Sequence, residues 1–233
     1  MLNLRLTPGY CVALYCLTAL SHTLHEFTHH LAGAAVCGAW GTMTFNLFSL
    51  ACGNEPYIYI ATYAGPAFTF GLLWIGASLL LSPSDFTRHF GFALIIAQIP
   101  WQRMIMPFLR GNDEYYASKH LFGANAITYW AVGLVVLAIC LPPVIAAYRA
   151  IANKPHPLWF IGALILPFLL WAPVYALFEY LLLQRQVLAD TIIGVPVLAI
   201  VNFAATTVLF ALTVRFIEPS PSPVPRDAVA ATG

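Results

Sequence analysis

Five ionisable side chains stand together in LSHTLHEFTHHLAG, residues 20–33, a stretch that is otherwise mostly apolar: His22, His25, Glu26, His29 and His30. His25 and His29 are four residues apart, so on a helix their imidazoles lie one turn above each other and can bind a single metal ion. Glu26 follows the first of these ligands and lies within reach of a water molecule on that metal. Zinc lowers the pKa of such a water towards neutrality, so this HExxH pattern predicts zinc-dependent hydrolysis with Glu26 as general base.

The apolar surroundings make these side chains more informative than they would be in a soluble domain. An ionisable group within a membrane span is costly, and by default it marks a functional site. The alternative for His25 and His29 is a set of hydrogen bonds between helices. His22 lies on the same helical face one turn earlier, so it can support a metal ligand or replace one. His30 points away by roughly 100°, which predicts a local hydrogen bond.

The composition indicates a membrane protein rather than a soluble one. Of the 233 residues, 8% are charged, against roughly 25% in soluble domains. Hydrophobic residues reach 61%, and the mean hydropathy is +0.80. A soluble domain could not bury that much apolar surface, so lipid must be the main solvent. The net charge of +1 offers no basic surface, and we expect no nucleic-acid partner.

Six stretches are long and apolar enough to cross a bilayer, which requires about 20 residues each. They cover approximately residues 10–36, 57–82, 87–109, 125–149, 158–183 and 189–216. The sequence therefore predicts an all-α polytopic membrane protein with about six transmembrane helices. We expect residues 1–217 to form a single transmembrane domain, with a catalytic core at about 10–122 and accessory helices at about 125–216. The Pro- and Ser-rich residues 218–233 indicate a disordered tail.

The segment between the first two predicted helices, residues 37–56, differs from an ordinary loop. Glycines lie towards both ends, and its middle alternates apolar with polar residues, which is the period of a strand. The pattern predicts a short β-hairpin or a re-entrant segment. An isolated hairpin is poorly stable, so it needs protein or a bound peptide to pair with. Cys37 and Cys52 flank this segment and can form a disulfide if it faces an oxidising space.

The depth of the histidines in the membrane restricts where a third ligand can come from. A catalytic zinc site normally has three protein ligands and an open position for water. At 1.5 Å per residue, His25 lies about 22 Å along its helix from Tyr10, so the metal would sit nearer the far side of the bilayer. The third ligand must therefore come from a segment that reaches this depth.

Asp113 is the preferred third ligand. The third predicted span ends on the far side and leads directly into RGNDEYYASKHL, with Pro100 and Pro107 available to bend it inward. Glu114 is adjacent, and Glu179 lies near the same depth in the fifth predicted span, so both stay open as alternative ligands. A structural role is also open to Asp113, because it could cap a helix that begins at Glu114.

At this point the sequence resembles the site-2 protease family of intramembrane zinc metalloproteases. Four stretches carry the resemblance, which covers roughly residues 20–120: HEFTHHLAG, the glycine-flanked segment 38–53, YAGPAFTF and QIPWQRMIMPFLRGND. Two positions depart from the family pattern. The aspartate stands in Asn112-Asp113-Glu114 rather than in a Leu-Asp-Gly context, and Thr69 stands where the family often has an asparagine.

The resemblance implies roles for specific residues. It implies that His25, His29 and Asp113 bind zinc and that Glu26 is the base. It also implies that residues 42–50, with Thr44, Phe45 and Asn46 in the middle, form the edge on which a substrate lies as an extended strand. A helix must unwind before one of its peptide bonds can be cut, and in lipid its freed backbone groups then need partners.

Two other functions compete with proteolysis. A zinc-binding membrane scaffold or chaperone would use the same ligands without hydrolysis, and fold-level resemblance alone does not separate the two. A membrane di-iron oxygenase would also use histidine boxes, but that chemistry needs about eight histidines. Only His89, His120 and His156 lie outside the cluster, each of them singly.

The features together predict an intramembrane zinc metalloprotease that cleaves peptide bonds of membrane proteins by means of a zinc-activated water. We expect one Zn²⁺ per chain as cofactor. The expected partners are a membrane-protein substrate and the lipid bilayer. We expect a multi-pass protein of a bacterial-type inner cell membrane.

Overall fold

A computed structural model describes residues 1–53 and 58–218 of the chain, apart from the side chain of residue 58. Over these residues the protein is mostly helical, as the sequence predicts. The predicted disordered tail lies outside the described residues from position 219 onward. Within the described ranges there are eight α-helices: α1 Pro8–Cys37, α2 Ile58–Leu79, α3 Asp85–Ala97, α4 Pro100–Ile105, α5 Asp113–Phe122, α6 Ala126–Ala150, α7 His156–Leu183 and α8 Val197–Thr213.

Among the described residues, four helical stretches are long and apolar enough to cross a membrane: Tyr59–Leu79, Ala126–Ala150, His156–Leu183 and Val197–Ile217. A bent pair, Asp85–Ala97 with Pro100–Phe122, makes a fifth if it is one broken span. The sequence predicts six spans, and the helix that does not qualify is α1. It is 30 residues long, but its histidines and glutamate lower its mean hydropathy.

The third predicted span is bent rather than straight. Its axis turns by 42° between α3 and α4. Ile99 stands at the break with a positive φ of 48°, and Pro100 opens α4. Proline lacks a backbone N–H and breaks a helix at such a position. A 3₁₀ turn, Met106–Leu109, then leads towards α5, so the prolines bend the segment as predicted.

Two small hairpins lie next to α1. The predicted one is present: β1 (Thr42–Met43) pairs antiparallel with β2 (Phe48–Ser49). A second, β3 (Thr191–Ile192) with β4 (Val195–Pro196), precedes α8 and replaces the start of the sixth predicted span. The two hairpins touch, because the Met43 amide donates a hydrogen bond of 2.9 Å to the Gly194 carbonyl. Each hairpin therefore gains a partner that an isolated one would lack.

The Cys37–Cys52 disulfide forms and closes the segment that carries the first hairpin. It links the last residue of α1 to the loop after β2, so the hairpin is fixed at the end of the helix that carries the histidines. Gly38 follows Cys37 with a φ of 68°, a left-handed conformation that glycine adopts without strain and that commonly ends a helix.

Helix α1 lies at the centre of the molecule and packs against α2, α3, α7 and α8. Its buried apolar residues include Leu14 and Leu17, which join a cluster with Ala93 and Leu94 of α3. The later helices instead direct large apolar side chains outward: Leu158, Leu169, Val208 and Leu212 are each more than half exposed. Side chains of this kind suit a lipid environment. The helices that carry them pack around α1 and shield its polar face.

Candidate metal centre

Helix α1 and the start of α5 bring three potential ligand atoms to one point. The Nε2 atoms of His25 and His29 lie 3.1 Å apart. Oδ2 of Asp113 lies 3.3 Å from the first and 3.5 Å from the second. Both histidines are buried, and Asp113 is partly exposed. The three side chains form a group that could hold a metal ion.

The donor set and its spacing fit zinc. Two imidazole nitrogens and one carboxylate oxygen are ligands that catalytic zinc sites use, with a fourth position left for water. Tetrahedral bonds of about 2.1 Å place neighbouring ligand atoms about 3.4 Å apart. The three separations of 3.1, 3.3 and 3.5 Å lie close to this value. The group therefore matches a tetrahedral metal without rearrangement of its backbone.

Asp113 reaches the histidines as the first residue of α5. The cap of this helix is Asn112, whose Oδ1 accepts a 3.2 Å hydrogen bond from the amide of Tyr115. The alternative prediction, that Asp113 is the cap, is therefore wrong. Because Asn112 satisfies the helix end, the carboxylate of Asp113 is available to the histidines.

Both histidines are held through their second ring nitrogen. Nδ1–H of His29 donates a 2.7 Å hydrogen bond to the carbonyl of Ala61, which fixes the tautomer with a free lone pair on Nε2. Nδ1 of His25 lies 2.9 Å from the hydroxyl of Thr69. Thr69 is the residue that departs from the asparagine of the resembled family, so the hydroxyl provides a polar partner at that position.

The ring of His29 is enclosed on two sides. The ring of Phe48 in β2 stacks on it with centroids 4.4 Å apart and planes within 8°. On α2, Gly65 lies so close that a Cβ atom there would overlap the imidazole. Glycine is therefore required at position 65 if α2 is to pack this tightly against the ligand.

Glu26 lines a cavity next to the ligands. The cavity measures about 300 Å³ and is also lined by His25, Asp113 and, from the first hairpin, Asn46 and Leu47. Glu26 is 6% exposed. A carboxylate in this position can exchange a proton with a water molecule or a bound peptide in the cavity.

His22 and His30 bind backbone carbonyls and do not belong to the ligand group. Nε2–H of His22 donates to the carbonyl of Phe45 at 3.2 Å, and the same nitrogen is 3.9 Å from Oε1 of Glu26. Nε2–H of His30 donates to the carbonyl of Ile193 at 2.8 Å. Each histidine thus anchors one of the two hairpins to α1. For His30 the sequence predicts a hydrogen bond rather than a ligand role, but the bond joins residues far apart in the chain and is not the local one expected.

Glu114 and Glu179, the two alternative carboxylate ligands, do not join the group of His25, His29 and Asp113. Oε2 of Glu114 accepts a 2.5 Å hydrogen bond from Nδ2 of Asn112. Oε1 of Glu114 is buried and has no hydrogen-bond partner among the described residues. Glu179 accepts hydrogen bonds from the Thr44 hydroxyl at 2.9 Å and the Phe45 amide at 3.1 Å. Glu179 therefore ties α7 to the tip of the first hairpin.

The predicted substrate contacts Thr44, Phe45 and Asn46 form the turn of that hairpin. Their backbone groups already have partners within the protein: the Thr44 amide donates to the Leu47 carbonyl, and the Asn46 amide donates to the Thr44 hydroxyl. Along the described strands, the first hairpin is a two-stranded sheet, and the side of β2 away from β1 carries no further strand. Binding of substrate to residues 44–46 stays a prediction.

The sequence patterns do not predict a role for Arg103, yet its guanidinium lies against the ligands. Nη2 is 3.1 Å from Nδ1 and 3.0 Å from Nε2 of His25. Nη1 is 3.4 Å from Oδ2 of Asp113 and 3.8 Å from Oε1 of Glu114. The signal that could have found Arg103 is a cation well inside a predicted apolar span, where a charge is as costly as the histidines are; Arg88, the other cation of residues 87–109, lies at the end of that span.

The three remaining histidines are dispersed. His89 contacts the Asp85 carbonyl, His120 stacks on Tyr59, and His156 contacts the Tyr148 carbonyl. Over residues 1–53 and 58–218, the group of His25, His29 and Asp113 is the one set of potential ligands that converges. The described residues therefore include no second converging group of the kind that a di-iron site would need.

Comparison of the chain with models of protein families, with curated proteins and with solved structures finds no match. The case for a function therefore depends on the chemistry of the site described above.

Proposed function

We propose that this chain is an intramembrane zinc metalloprotease that hydrolyses peptide bonds of membrane proteins. One observation carries the proposal: His25, His29 and Asp113 meet at a single point, beside a cavity lined by Glu26, within a set of apolar helices. Burying a carboxylate and two imidazoles among such helices is costly, and binding a divalent cation offsets that cost.

The residues of the chain have distinct tasks in this reaction. When bound, zinc would supply a Lewis acid that polarises a peptide carbonyl and lowers the pKa of water. His25, His29 and Asp113 would hold it, with Thr69 and Ala61 keeping the two rings in place. Glu26 takes a proton from the attacking water and returns it to the nitrogen of the departing amine.

The hairpin at the cavity suits a substrate that has lost its helical hydrogen bonds. A transmembrane helix must unwind before one of its carbonyls can reach the site, and its freed backbone groups then need partners. The outer side of β2 offers backbone groups next to His29, through the contact of Phe48 with that ring. We propose that the substrate binds there as an added strand, with Asn46 facing it from the cavity wall.

The proposed substrates are other membrane proteins, and the proposed location is a bacterial-type cell membrane. Four helices that could span a membrane, with a bent fifth, support a multi-pass protein. The two histidine ligands lie on a buried face of α1 and Asp113 is partly exposed at the start of α5, so we propose that a substrate reaches the ligand group from the side of Asp113. Substrates whose helices are unstable near the cut would bind best, because unwinding them costs least.

The direct test is to co-express single-span membrane proteins with wild type and with Glu26→Gln. Glutamine keeps the size of the side chain but cannot take the proton. Cleavage by the variant should fall about 10³-fold, while its zinc content should stay at the wild-type level. Glu218→Gln makes the same chemical change at the other end of the described chain and should leave cleavage intact. If both proteins bind zinc and neither cleaves a substrate, a non-catalytic zinc-binding scaffold replaces the protease, whereas equal cleavage by both would refute Glu26 as the base.

A further inference from the structure

The strongest feature that the proposed reaction does not use is Arg103, on α4. We infer that Arg103 competes with the metal ion for Asp113 and moves to Glu114 when the metal binds. The inference rests on the metal-binding part of the proposed function, and it is independent of whether a peptide bond is cut. Arg103 then sets the affinity of the site for the metal ion.

The competition follows from a shared atom. Oδ2 of Asp113 is the oxygen closest to both histidines and is also 3.4 Å from Nη1 of Arg103. A guanidinium has five N–H donors, no acceptor and a charge that it keeps in proteins, so it cannot itself become a ligand. A divalent cation on the same oxygen would be repelled by it at short range. The carboxylate can therefore satisfy one cation fully only if the other withdraws.

The contact of Arg103 with His25 does not hold it strongly in place. Nη2 is almost equally far from the two ring nitrogens, at 3.0 and 3.1 Å. An atom on the lone-pair axis of one nitrogen would lie much farther from the other, so Nη2 is aligned with neither. Hydrogen bonds weaken steeply when they are misaligned. The bond to Asp113 is therefore the main one that Arg103 must give up.

Glu114 provides the second position. Its side chain is 6% exposed, and its buried Oε1 has no hydrogen-bond partner among the described residues. That oxygen is 3.8 Å from Nη1 of Arg103. A shift of about 1 Å would bring the two atoms to the length of a charge-assisted hydrogen bond. A buried carboxylate oxygen without a donor is unfavourable, so the move gives Glu114 what it lacks.

Metal binding and the position of Arg103 are then linked. The metal binds only the arrangement in which Arg103 has left Asp113, so its apparent affinity depends on the balance between the two carboxylates. Removing the positive charge of Arg103 should tighten metal binding. Removing the charge of Glu114 should weaken metal binding, but only while Arg103 is present to compete.

The test measures the affinity of the full chain in detergent for Zn²⁺, by competition with a chromophoric chelator and without any substrate. Arg103→Gln should bind zinc about 10- to 100-fold more tightly than wild type. Glu114→Gln should bind about tenfold more weakly. In the double variant the effect of Glu114→Gln should vanish, which a double-mutant cycle reports directly. Arg110→Gln is the matched control, because Arg110 packs over the ring of Tyr129, and should change nothing.

Two results would overturn the inference. Weaker zinc binding by Arg103→Gln would mean that the guanidinium holds Asp113 in place for the metal. An equal loss from Glu114→Gln with and without Arg103 would mean that Glu114 acts by itself, as a ligand does. If Arg103→Gln does not elute as a folded protein, Arg103→Lys serves instead and should tighten binding by a smaller factor, since a shorter cation remains. Zinc binding that responds as predicted, without any proteolysis, would refute the protease and leave this inference standing.

Discussion

The two halves of the chain bury polar side chains very differently. Among the described residues, the buried polar side chains lie in residues 1–122, with the exceptions of Thr128 and Thr206. Helices α6, α7 and α8 bury few polar groups and expose many large apolar ones. Since a polar group is costly in lipid, the positions of the buried polar side chains show which part of the protein needs them for function. The first half is organised around the ligands, and the second half presents apolar surface of the kind that suits lipid.

The second half nevertheless reaches the site through a few polar contacts. Glu179 of α7 binds the turn of the first hairpin, and the carbonyls of Ile193 and Gly194 bind His30 and the Met43 amide. None of these contacts touches a ligand atom directly. The comparison therefore separates two tasks: the first half holds the metal, and the second half holds the hairpin over the cavity. Variants in each half should affect different measurements.

The largest effect is expected from Gly65→Ala, in the first half. The added Cβ would overlap the ring of His29, so either the ligand or α2 must shift. Zinc affinity should fall about 100-fold, the upper end of what a disturbed ligand support costs. The measurement is the chelator competition described for Arg103.

Gly71→Ala is the control for this variant. It lies on the same helix, and a Cβ there would meet no other described atom within 4 Å. Its zinc affinity should equal that of wild type, and its helix should be slightly more stable because alanine favours helix. Unchanged zinc affinity in Gly65→Ala would mean that α2 shifts instead of the ring, and that Gly65 does not position the ligand.

A smaller effect is expected from Thr69→Val, also in the first half. Valine keeps the shape of threonine but removes the hydroxyl 2.9 Å from Nδ1 of His25. Without this partner the ring loses its orientation, and zinc affinity should fall about tenfold. Thr69→Ser, which retains a hydroxyl, should recover most of the loss. Equal affinities for all three proteins would mean that the ring is positioned by packing alone.

Much of this division could be predicted from the sequence. The HExxH spacing indicates His25 and His29 as a pair, because helical periodicity fixes their relation locally. The alternating pattern of residues 37–56 predicts a hairpin, and one forms there. Depth in the membrane makes Asp113 a candidate but does not separate it from Glu114 and Glu179, and the fold is what brings Asp113 to the two histidines. The inferences on the histidine pair and the hairpin succeed because they depend on local geometry.

The features that could not be predicted depend on contacts between distant segments. The second hairpin interrupts an apolar run that reads as part of a span, and its partner is Met43, far away in the sequence. Glu179 looks like a ligand by depth, and only the fold shows that it faces the hairpin turn instead. The position of Arg103 beside the ligands likewise requires the bend after α3 to be known. Periodicity carries no information on such pairings.

The smallest effect on zinc affinity, and the one that best tests the division, is expected from Glu179→Gln in the second half. Glutamine keeps only one acceptor oxygen, so it cannot accept from both the Thr44 hydroxyl and the Phe45 amide, and the turn should loosen. Hydrogen exchange of amides 42–50 should speed up, and kcat/KM for a cleaved substrate should fall about tenfold, as a lost charged hydrogen bond implies. Zinc affinity should stay at the wild-type value, and the control Glu218→Gln should leave both measurements unchanged. If zinc affinity instead falls together with activity, the hairpin and the ligands form one unit, and the separation between the two halves does not hold.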